Sequence, residues 1–150
     1  MDDFDRAILS RMQLNSRVTA ETLSREVGLS PAACQKRLKR LRERGVIERE
    51  VAVLSPRAVD RGLTLIVAVT LETERPEALD AFKQRMRAAP EVMQCYYVTG
   101  DADFVLILTT RDMADYEAFT RRHFFAESNV SRFNTQVVMD RTKVSLAVPL

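Results

Sequence analysis

Basic side chains are concentrated in one short part of this sequence of 150 residues. Between positions 36 and 49, seven positive charges are opposed only by Glu43 and Glu48. Lysine and arginine offer hydrogen-bond donors and no acceptors, so such a group suits a polyanion, although a solvated helix face has the same composition. The net charge of the whole chain is only +2, because residues 1–61 carry +4 and residues 62–150 carry −2. The seven are Lys36, Arg37, Lys39, Arg40, Arg42, Arg44 and Arg49.

The residues around this basic run predict three short helices within residues 1–48. Thr19 can cap the second helix and Gly28 can end it, while Ser30 followed by proline is typical of the start of a third. Only Gly28, Leu29 and Ser30 separate the two helices. A tight turn with glycine between two amphipathic helices is the signature of a helix-turn-helix, which binds the major groove of DNA. The position of the basic run on such a helix favours its interpretation as a nucleic-acid-binding surface over that of a solvated helix face.

The periodicity of the apolar residues divides the chain. Residues 49–62 predict a strand, which could be a small wing, and a hinge linker that contains proline and glycine. Residues 63–150 alternate between strand and helix periods in the order β-α-β-β-α-β, with the second helix over 113–125 and the last strand over 130–148. This order is typical of a ferredoxin-like fold with four antiparallel strands and two helices on one face. The predicted fold class is α+β, with a winged helix-turn-helix domain over residues 1–48 and a ferredoxin-like domain after the linker.

Residue types that could carry catalysis or bind a metal are scarce. One histidine and two distant cysteines exclude zinc fingers, zincins and a disulfide framework, and Cys34 fits a helix core. His123 has no nucleophile at a suggestive spacing, so we expect no catalytic residue, cofactor or metal. The longest apolar run, Leu63–Leu71, is well below the roughly 20 residues of a membrane helix, and the acidic N-terminus resembles no signal peptide. We therefore expect a cytoplasmic protein that is not an enzyme.

Two blocks of the sequence, at the expected separation and in the expected order, resemble the Lrp/AsnC (feast/famine) transcriptional regulators. The resemblance covers residues 3–146 and implies a sequence-specific DNA-binding regulator, bacterial or archaeal and associated with the nucleoid. It also implies that DNA binding or assembly responds to a free amino acid or a related small molecule. The block similar to the recognition-helix region is Leu29-Ser30-Pro31, Cys34, Arg37, Leu38, Leu41 and Gly45-Val46-Ile47. The block similar to the ligand domain is Thr99-Gly100-Asp101-Ala102-Asp103-Phe104, Asp112-Met113, Tyr116 and Val137-Val138-Met139.

The recognition helix of a helix-turn-helix turns its N-terminal residues toward the base edges. Small alanines allow contact with thymine methyl groups, glutamine can read adenine and lysine can reach guanine. The base-facing candidates are Ser30, Ala32, Ala33, Gln35 and Lys36. The next basic residues are candidates for phosphate contacts, which position the helix without reading sequence, and these are Arg37, Lys39 and Arg40. For Arg37 a structural ion pair with Glu26 or Glu43 is the alternative.

The resemblance further implies an effector pocket for a free amino acid at the hairpin between the second and third strands of the C-terminal domain. Backbone N–H groups near Gly100 could bind the carboxylate, and Asp103 could bind the ammonium group. Asp101 and Asp103 are equally well explained as turn residues. Thr135 and Val137 on the last strand are the further effector-binding candidates, and Ala102 is smaller than the aromatic residue of many family members.

The first strand of the C-terminal domain is apolar on both faces, and its Ile66 and Ala68 need a cover. A second copy of the sheet is the simplest cover, so we expect a two-fold homodimer on double-stranded DNA. The resemblance implies assembly of dimers into a tetramer or an octamer. Two alternatives remain at this point: a regulator of the same family that needs no effector, and a small-ligand enzyme on a ferredoxin-like fold.

Overall fold

The computed structural model describes residues 1–126 and 129–150 and divides the chain into two compact units. The first unit comprises residues 1–53 and 143–150, and the second comprises residues 54–142. The helices of the first unit are α1 (Asp3–Leu14), α2 (Ala20–Val27) and α3 (Pro31–Glu43).

Each helix of the first unit begins at a side chain that caps it. Asp2, Thr19 and Ser30 each accept a hydrogen bond from the backbone N–H three residues later. Gly28 ends α2 with φ of +72°, a left-handed conformation that residues other than glycine rarely adopt. These caps bound the helix-turn-helix that the sequence predicts.

The apolar faces of the three helices meet in one core. Cys34 is fully buried between α3 and its neighbours, as its spacing from Leu38 and Leu41 predicts. Because these three residues face inward, the side of α3 opposite to them is left exposed. The core consists of Ile8, Leu9, Met12, Leu23, Cys34, Leu38 and Leu41.

The segment after α3 differs from the prediction of a wing. Residues 48–55 form no strand, and Val51 and Val53 on it are exposed. A strand needs a neighbour that completes its hydrogen-bond ladder, and no residue in the described part of the chain pairs with this segment. Arg42 of α3 holds the segment through an ion pair of 2.7 Å with Glu50. A short 3-10 turn at Pro56–Val59 then leads into the second unit.

The second unit confirms the ferredoxin-like prediction. Its four strands form one antiparallel sheet in the order β2-β3-β1-β4, and its helices cover one face. Phe82 and Met86 of α4 and Phe119 of α5 fill the core on that face. The elements are β1 (Leu63–Leu71), α4 (Pro76–Ala88), β2 (Val92–Tyr97), β3 (Phe104–Thr110), α5 (Met113–Thr120) with a π-helical turn at Arg121–Phe125, and β4 (Val130–Val137).

The other face of the sheet is also apolar at its centre. Ile66 of β1 pairs with Ile107 of β3, and Ala68 pairs with Val105. All four side chains are half-buried, and they alternate along the strands with the residues that face α4 and α5. The sheet therefore has two apolar faces, as predicted from β1.

The last strand is shorter than the predicted 130–148, because β4 ends at Val137. The N–H of Val138 donates to the carbonyl of Thr64 at 2.9 Å, near the beginning of β1, so little of β1 remains for further pairing. Residues 143–150 belong to the first unit. There the side-chain amide of Gln13 binds the N–H and the carbonyl of Val148 at 2.7 and 3.1 Å.

Candidate nucleic-acid interface

The exposed side of α3 is a basic groove of about 560 Å³. Lys36 and Lys39 are both exposed, and the side chain of Lys39 retains 78% of its accessible surface. Nζ of Lys39 lies 3.8 Å from a carboxylate oxygen of Glu43, a surface contact that holds the lysine weakly. The groove is lined by Ala33, Lys36, Arg37, Lys39, Arg40 and Glu43.

Arg37 lies at the edge of this groove but binds carboxylates of α1 and its cap. Its Nη1 is 2.8 Å from oxygens of both Asp2 and Asp5, and its guanidinium lies 5.5 Å from the centre of the Phe4 ring. Arg40 adds a bond of 2.9 Å from its Nη2 to Asp5. Asp5 is only 1% exposed, so the two arginines supply the donors that a buried carboxylate needs.

The protonation equilibria follow from this cluster. Burial alone would raise the pKa of Asp5, but the hydrogen bond from Arg37, that from the Asp2 backbone and the charge of Arg40 together lower it below its ordinary value. The bonds to Asp5 and Asp2 raise the pKa of Arg37. Asp5 and Arg37 are therefore both charged at neutral pH, and their ion pair ties α3 to α1.

The sequence analysis gives an ion pair of Arg37 with Glu26 or Glu43 as one alternative. Arg37 does form ion pairs in the structure, but with other carboxylates. Glu26 instead binds Arg11 at 3.0 Å, and Glu43 lies beside Lys39. The partners in the structure are instead Asp2, the cap of α1, and Asp5 in its first turn. Their spacing, with Asp2 as cap and Asp5 three residues later, is the signal of a capping box and could have marked both as structural.

The other candidates on α3 occupy different positions. Ser30 uses its hydroxyl oxygen as the cap of α3, at 3.2 Å from the N–H of Ala33. Ala32 and Gln35 are exposed, and Gln35 does not line the groove. Arg40 keeps 49% of its side-chain surface although one nitrogen binds Asp5. Lys36, Lys39 and the free part of Arg40 are thus the cations most available to a partner.

The hairpin candidates in the second unit make internal hydrogen bonds. The backbone N–H of Leu71 donates to Oδ2 of Asp103 at 2.7 Å, and the N–H of Asp103 donates to the carbonyl of Val69 at 3.0 Å. The carbonyl of Asp101 accepts from Thr70 and Arg132 at 3.3 Å. The turn role of Asp103 is therefore observed directly.

Thr135 and Val137 lie elsewhere on the same sheet. Thr135 is opposite Val67 and Val137 is opposite Leu65, which are four and six residues along β1 from Leu71, the residue that binds the Asp103 carboxylate. These separations are about 13 and about 20 Å. The hydroxyl of Thr135 is hydrogen-bonded to that of Tyr116 on the helix-covered face. Burial raises the pKa of Tyr116 more than this bond lowers it, so its phenol stays neutral. A single chain does not bring the five effector candidates together.

Two family models match this chain. Residues 1–42 match the AsnC-type helix-turn-helix domain, and residues 64–148 match the Lrp/AsnC ligand binding domain. The chain belongs to the Lrp/AsnC family. The two models leave residues 43–63 unmatched, and the helix-turn-helix model includes all but the last residue of α3.

Relatives agree over the whole length. The chain is 54% identical over 150 residues to an uncharacterized HTH-type transcriptional regulator of Sinorhizobium fredii, covering 100% of this chain and 89% of that protein. It is 32% identical over 145 residues to the leucine-responsive regulatory protein of Escherichia coli K12, covering 97% and 88%. As a member of this family, the protein is a DNA-binding transcriptional regulator.

Solved structures share the fold. An AsnC family transcriptional regulator from Agrobacterium tumefaciens superimposes with a TM-score of 0.94 at 32% identity, covering 99% of this chain and 97% of that one. A transcriptional regulator from Neisseria meningitidis in complex with L-Met has a TM-score of 0.93 at 31% identity, covering 99% and 96%. Within the described residues, no helix has the length and apolarity to cross a membrane, and no group of three or more potential metal ligands occurs.

Proposed function

We propose that this Lrp/AsnC regulator binds double-stranded DNA as a two-fold dimer, with α3 in the major groove, and that a free amino acid changes this binding. The observation that carries the proposal is the basic, exposed side of α3, which its buried residues leave facing solvent. Because the groove holds more cations than anions, it suits the phosphate-lined major groove. Acting on the genome, the protein would work in the cytoplasm, and its relatives are regulators rather than enzymes.

Within this proposal the cations of α3 divide into two groups. Lys36 and Lys39 contact DNA directly, with Lys36 also within reach of a guanine. Ala32, Ala33 and Gln35 contact base edges, while the hydroxyl of Ser30 fixes the helix start beside the DNA. Arg37 holds α3 against α1 and acts on DNA binding through that position, and Arg40 does both, since half of its side chain is exposed.

The apolar sheet face supports the dimer. A second copy that covers Ile66, Ala68, Val105 and Ile107 would remove this surface from water, which contributes about 25 cal/mol per Å² of apolar area. It would also give each half of a pseudopalindromic site one recognition helix. Dimers of this kind could assemble further into tetramers or octamers.

The replacement Ile107→Glu should break the dimer, because it would place a carboxylate at the centre of the covered face. We expect the sedimentation coefficient at micromolar concentration to fall to that of a monomer. Met113→Glu is the matched control, since Met113 is exposed at the start of α5. This variant should keep the sedimentation coefficient of the wild-type dimer. A dimer that persists in Ile107→Glu would place the interface elsewhere.

The amino-acid response is inferred from the relatives and the hairpin. Leucine-responsive regulatory proteins and a structure with L-Met are among the similar proteins, so an apolar amino acid is the ligand class we propose. Asp103 would bind the ammonium group of this amino acid through Oδ1, since Oδ2 accepts the hydrogen bond from Leu71. Thr135 and Val137 are about 13 and about 20 Å away along the sheet, so a pocket that uses all candidates requires residues of another copy.

Operator selection followed by an amino-acid panel tests the response. A duplex enriched from random DNA should be bound by the wild type, and one apolar amino acid should change its apparent affinity about tenfold, equivalent to about 1.4 kcal/mol of coupling. Asp103→Asn should lose this response and keep its fold, because the amide oxygen can still accept from Leu71. Asp80→Asn, on the exposed side of α4, is the charge-matched control.

Three outcomes separate the alternatives. Loss of the response only in Asp103→Asn supports the hairpin site. A wild type that binds the selected duplex and ignores the whole panel would make the protein an effector-independent regulator, in which Asp103 serves only the turn. Absence of any enriched duplex would contradict DNA recognition itself.

A further inference from the structure

A second polar site lies in the second unit, at the far end of the sheet from the hairpin. It is an open cleft of about 560 Å³ between the end of α4, the residues before β2 and the π-helical turn. Arg85, Glu91, Arg122 and His123 supply its polar groups. The carbonyl of Glu91 binds the N–H of Thr109 near the end of β3, whereas the hairpin adjoins Phe104 at its start. The cleft is therefore distinct from the effector candidates.

Three polar atoms in this cleft are buried without a hydrogen-bond partner among the described residues. They are Nε and Nη2 of Arg85 and Oε2 of Glu91. Leaving a buried donor or acceptor unpaired costs about 1–3 kcal/mol, and more for a charged group, so such atoms call for an explanation. Within the part of the chain that the structure describes, two donors and one acceptor of residues that line this cleft are therefore unsatisfied.

The two arginine atoms form one edge of the guanidinium. This edge presents two parallel N–H groups and matches a carboxylate. Arg42 of this chain uses the same edge, with Nε and Nη2 at 2.9 and 2.7 Å from the carboxylate of Glu50. The described residues offer the edge of Arg85 no such partner, and its guanidinium lies 5.6 Å from the centre of the Phe82 ring.

The neighbouring charges define what can bind. Arg122 holds Oε1 of Glu91 at 2.6 Å, whereas Oε2 is buried without a hydrogen-bond partner among the described residues. Burial lowers the pKa of His123, as do the charges of Arg122 and Arg85, against the opposing effect of Glu91, so the imidazole is neutral at pH 7. Two arginines and one carboxylate leave one excess positive charge. Phosphate dianions would face the Glu91 carboxylate.

We propose that this cleft binds a small monoanionic carboxylate with a hydroxyl donor on the adjacent carbon, a 2-hydroxy acid. The ligand carboxylate occupies the Nε–Nη2 edge of Arg85, and its hydroxyl donates to Oε2 of Glu91. This arrangement satisfies the three unpaired atoms and cancels the excess charge. An amino-acid zwitterion also has a donor and a carboxylate, but it leaves the excess charge in place.

Four compounds with the same three-carbon carboxylate skeleton test the ligand class. L-lactate has the hydroxyl, L-alanine an ammonium group, propionate neither, and pyruvate an acceptor in place of the donor. We expect the dissociation constant of L-lactate to be at least tenfold lower than those of propionate and pyruvate, and lower than that of L-alanine. Inorganic phosphate should bind no better than propionate.

His123 provides the readout. It is the only histidine of the chain, so in protein without a tag its imidazole NMR signals report on this cleft alone. L-lactate should shift these signals to saturation and raise the pKa of His123, because a bound anion favours the imidazolium. Binding at the hairpin would not move this signal. Asp103→Asn should therefore bind L-lactate like the wild type, which separates this site from the proposed effector function.

The variants Arg85→Gln and Arg85→Lys should each weaken L-lactate binding at least tenfold. Lysine keeps the charge but lacks the two-pronged edge, so it remains informative even if glutamine unfolds the chain. Arg87→Gln, on the exposed side of the same helix, is the matched control and should bind normally. Unshifted His123 signals, equal binding to Arg85→Lys, or tighter binding of L-alanine than of L-lactate would each overturn the proposal.

Discussion

Replacing Lys36 and Lys39 together with glutamate is expected to weaken binding of the selected duplex about 100-fold or more. A hydrogen bond between a lysine and a charged phosphate contributes about 1.5–3 kcal/mol, and the introduced carboxylates would add repulsion from the phosphates. Because two phosphate contacts are lost, the slope of log affinity against log salt should become shallower by about 2. Fluorescence anisotropy titrations between about 50 and 200 mM salt measure both quantities.

The control for this pair has the same change in net charge on the other unit. Arg75→Glu with Arg87→Glu alters two exposed arginines of the second unit and should leave the salt slope unchanged. The thermal midpoint of Lys36→Glu, Lys39→Glu should stay close to that of the wild type, since both lysines are exposed. An unchanged slope in that variant would mean that DNA lies on another surface.

Asp5→Ala is expected to lower the free energy of unfolding of the first unit by about 2–4 kcal/mol. The replacement removes a buried carboxylate on which Arg37 and Arg40 converge, and breaking such a pair leaves charges without a partner. The estimate stays below the usual cost of a fully buried pair, because Arg37 and Arg40 keep 23% and 49% of their side-chain surface. DNA affinity should fall as well, since α3 loses its attachment to α1.

The measurement can separate the two units. All three tyrosines, Tyr96, Tyr97 and Tyr116, lie in the second unit and the chain has no tryptophan. Tyrosine fluorescence therefore follows the second unit, while far-UV circular dichroism also follows the helices of the first. In Asp5→Ala only the dichroism transition should move to lower denaturant. Asp3→Ala, an exposed first-turn control, should cost less than about 1 kcal/mol.

The same carboxylate gives the first unit a dependence on pH. The pKa of Asp5 lies below its ordinary value of 3.8 when the chain is folded, so ionised Asp5 contributes stability at any pH above that value. This contribution is lost as the pH falls through the pKa of the folded state. Wild type should therefore lose more stability than Asp5→Ala below pH about 4. Parallel acid titrations of the two proteins would contradict the role of Asp5.

Much of the fold could be predicted because it depends on neighbours in the sequence. Thr19, Gly28 and Ser30 mark the turn between α2 and α3 through their own backbone preferences. Alternation along β1 predicted a sheet with two apolar faces, and this is observed. The predictions of a wing and of a long last strand were wrong, because a strand forms only where another strand is available to pair with it.

By itself the sequence determined the two domain types, the side of α3 that faces solvent and the family, since periodicity, caps and motifs are local properties. Tertiary structure alone decided which charged residues remain available. Asp5 and Arg37 are 32 positions apart. Arg85 and Glu91 line one cleft, and some of their buried atoms have no hydrogen-bond partner among the described residues. The strength of an ionic or hydrogen-bonding group depends on what surrounds it after folding, and that environment comes from distant parts of the chain.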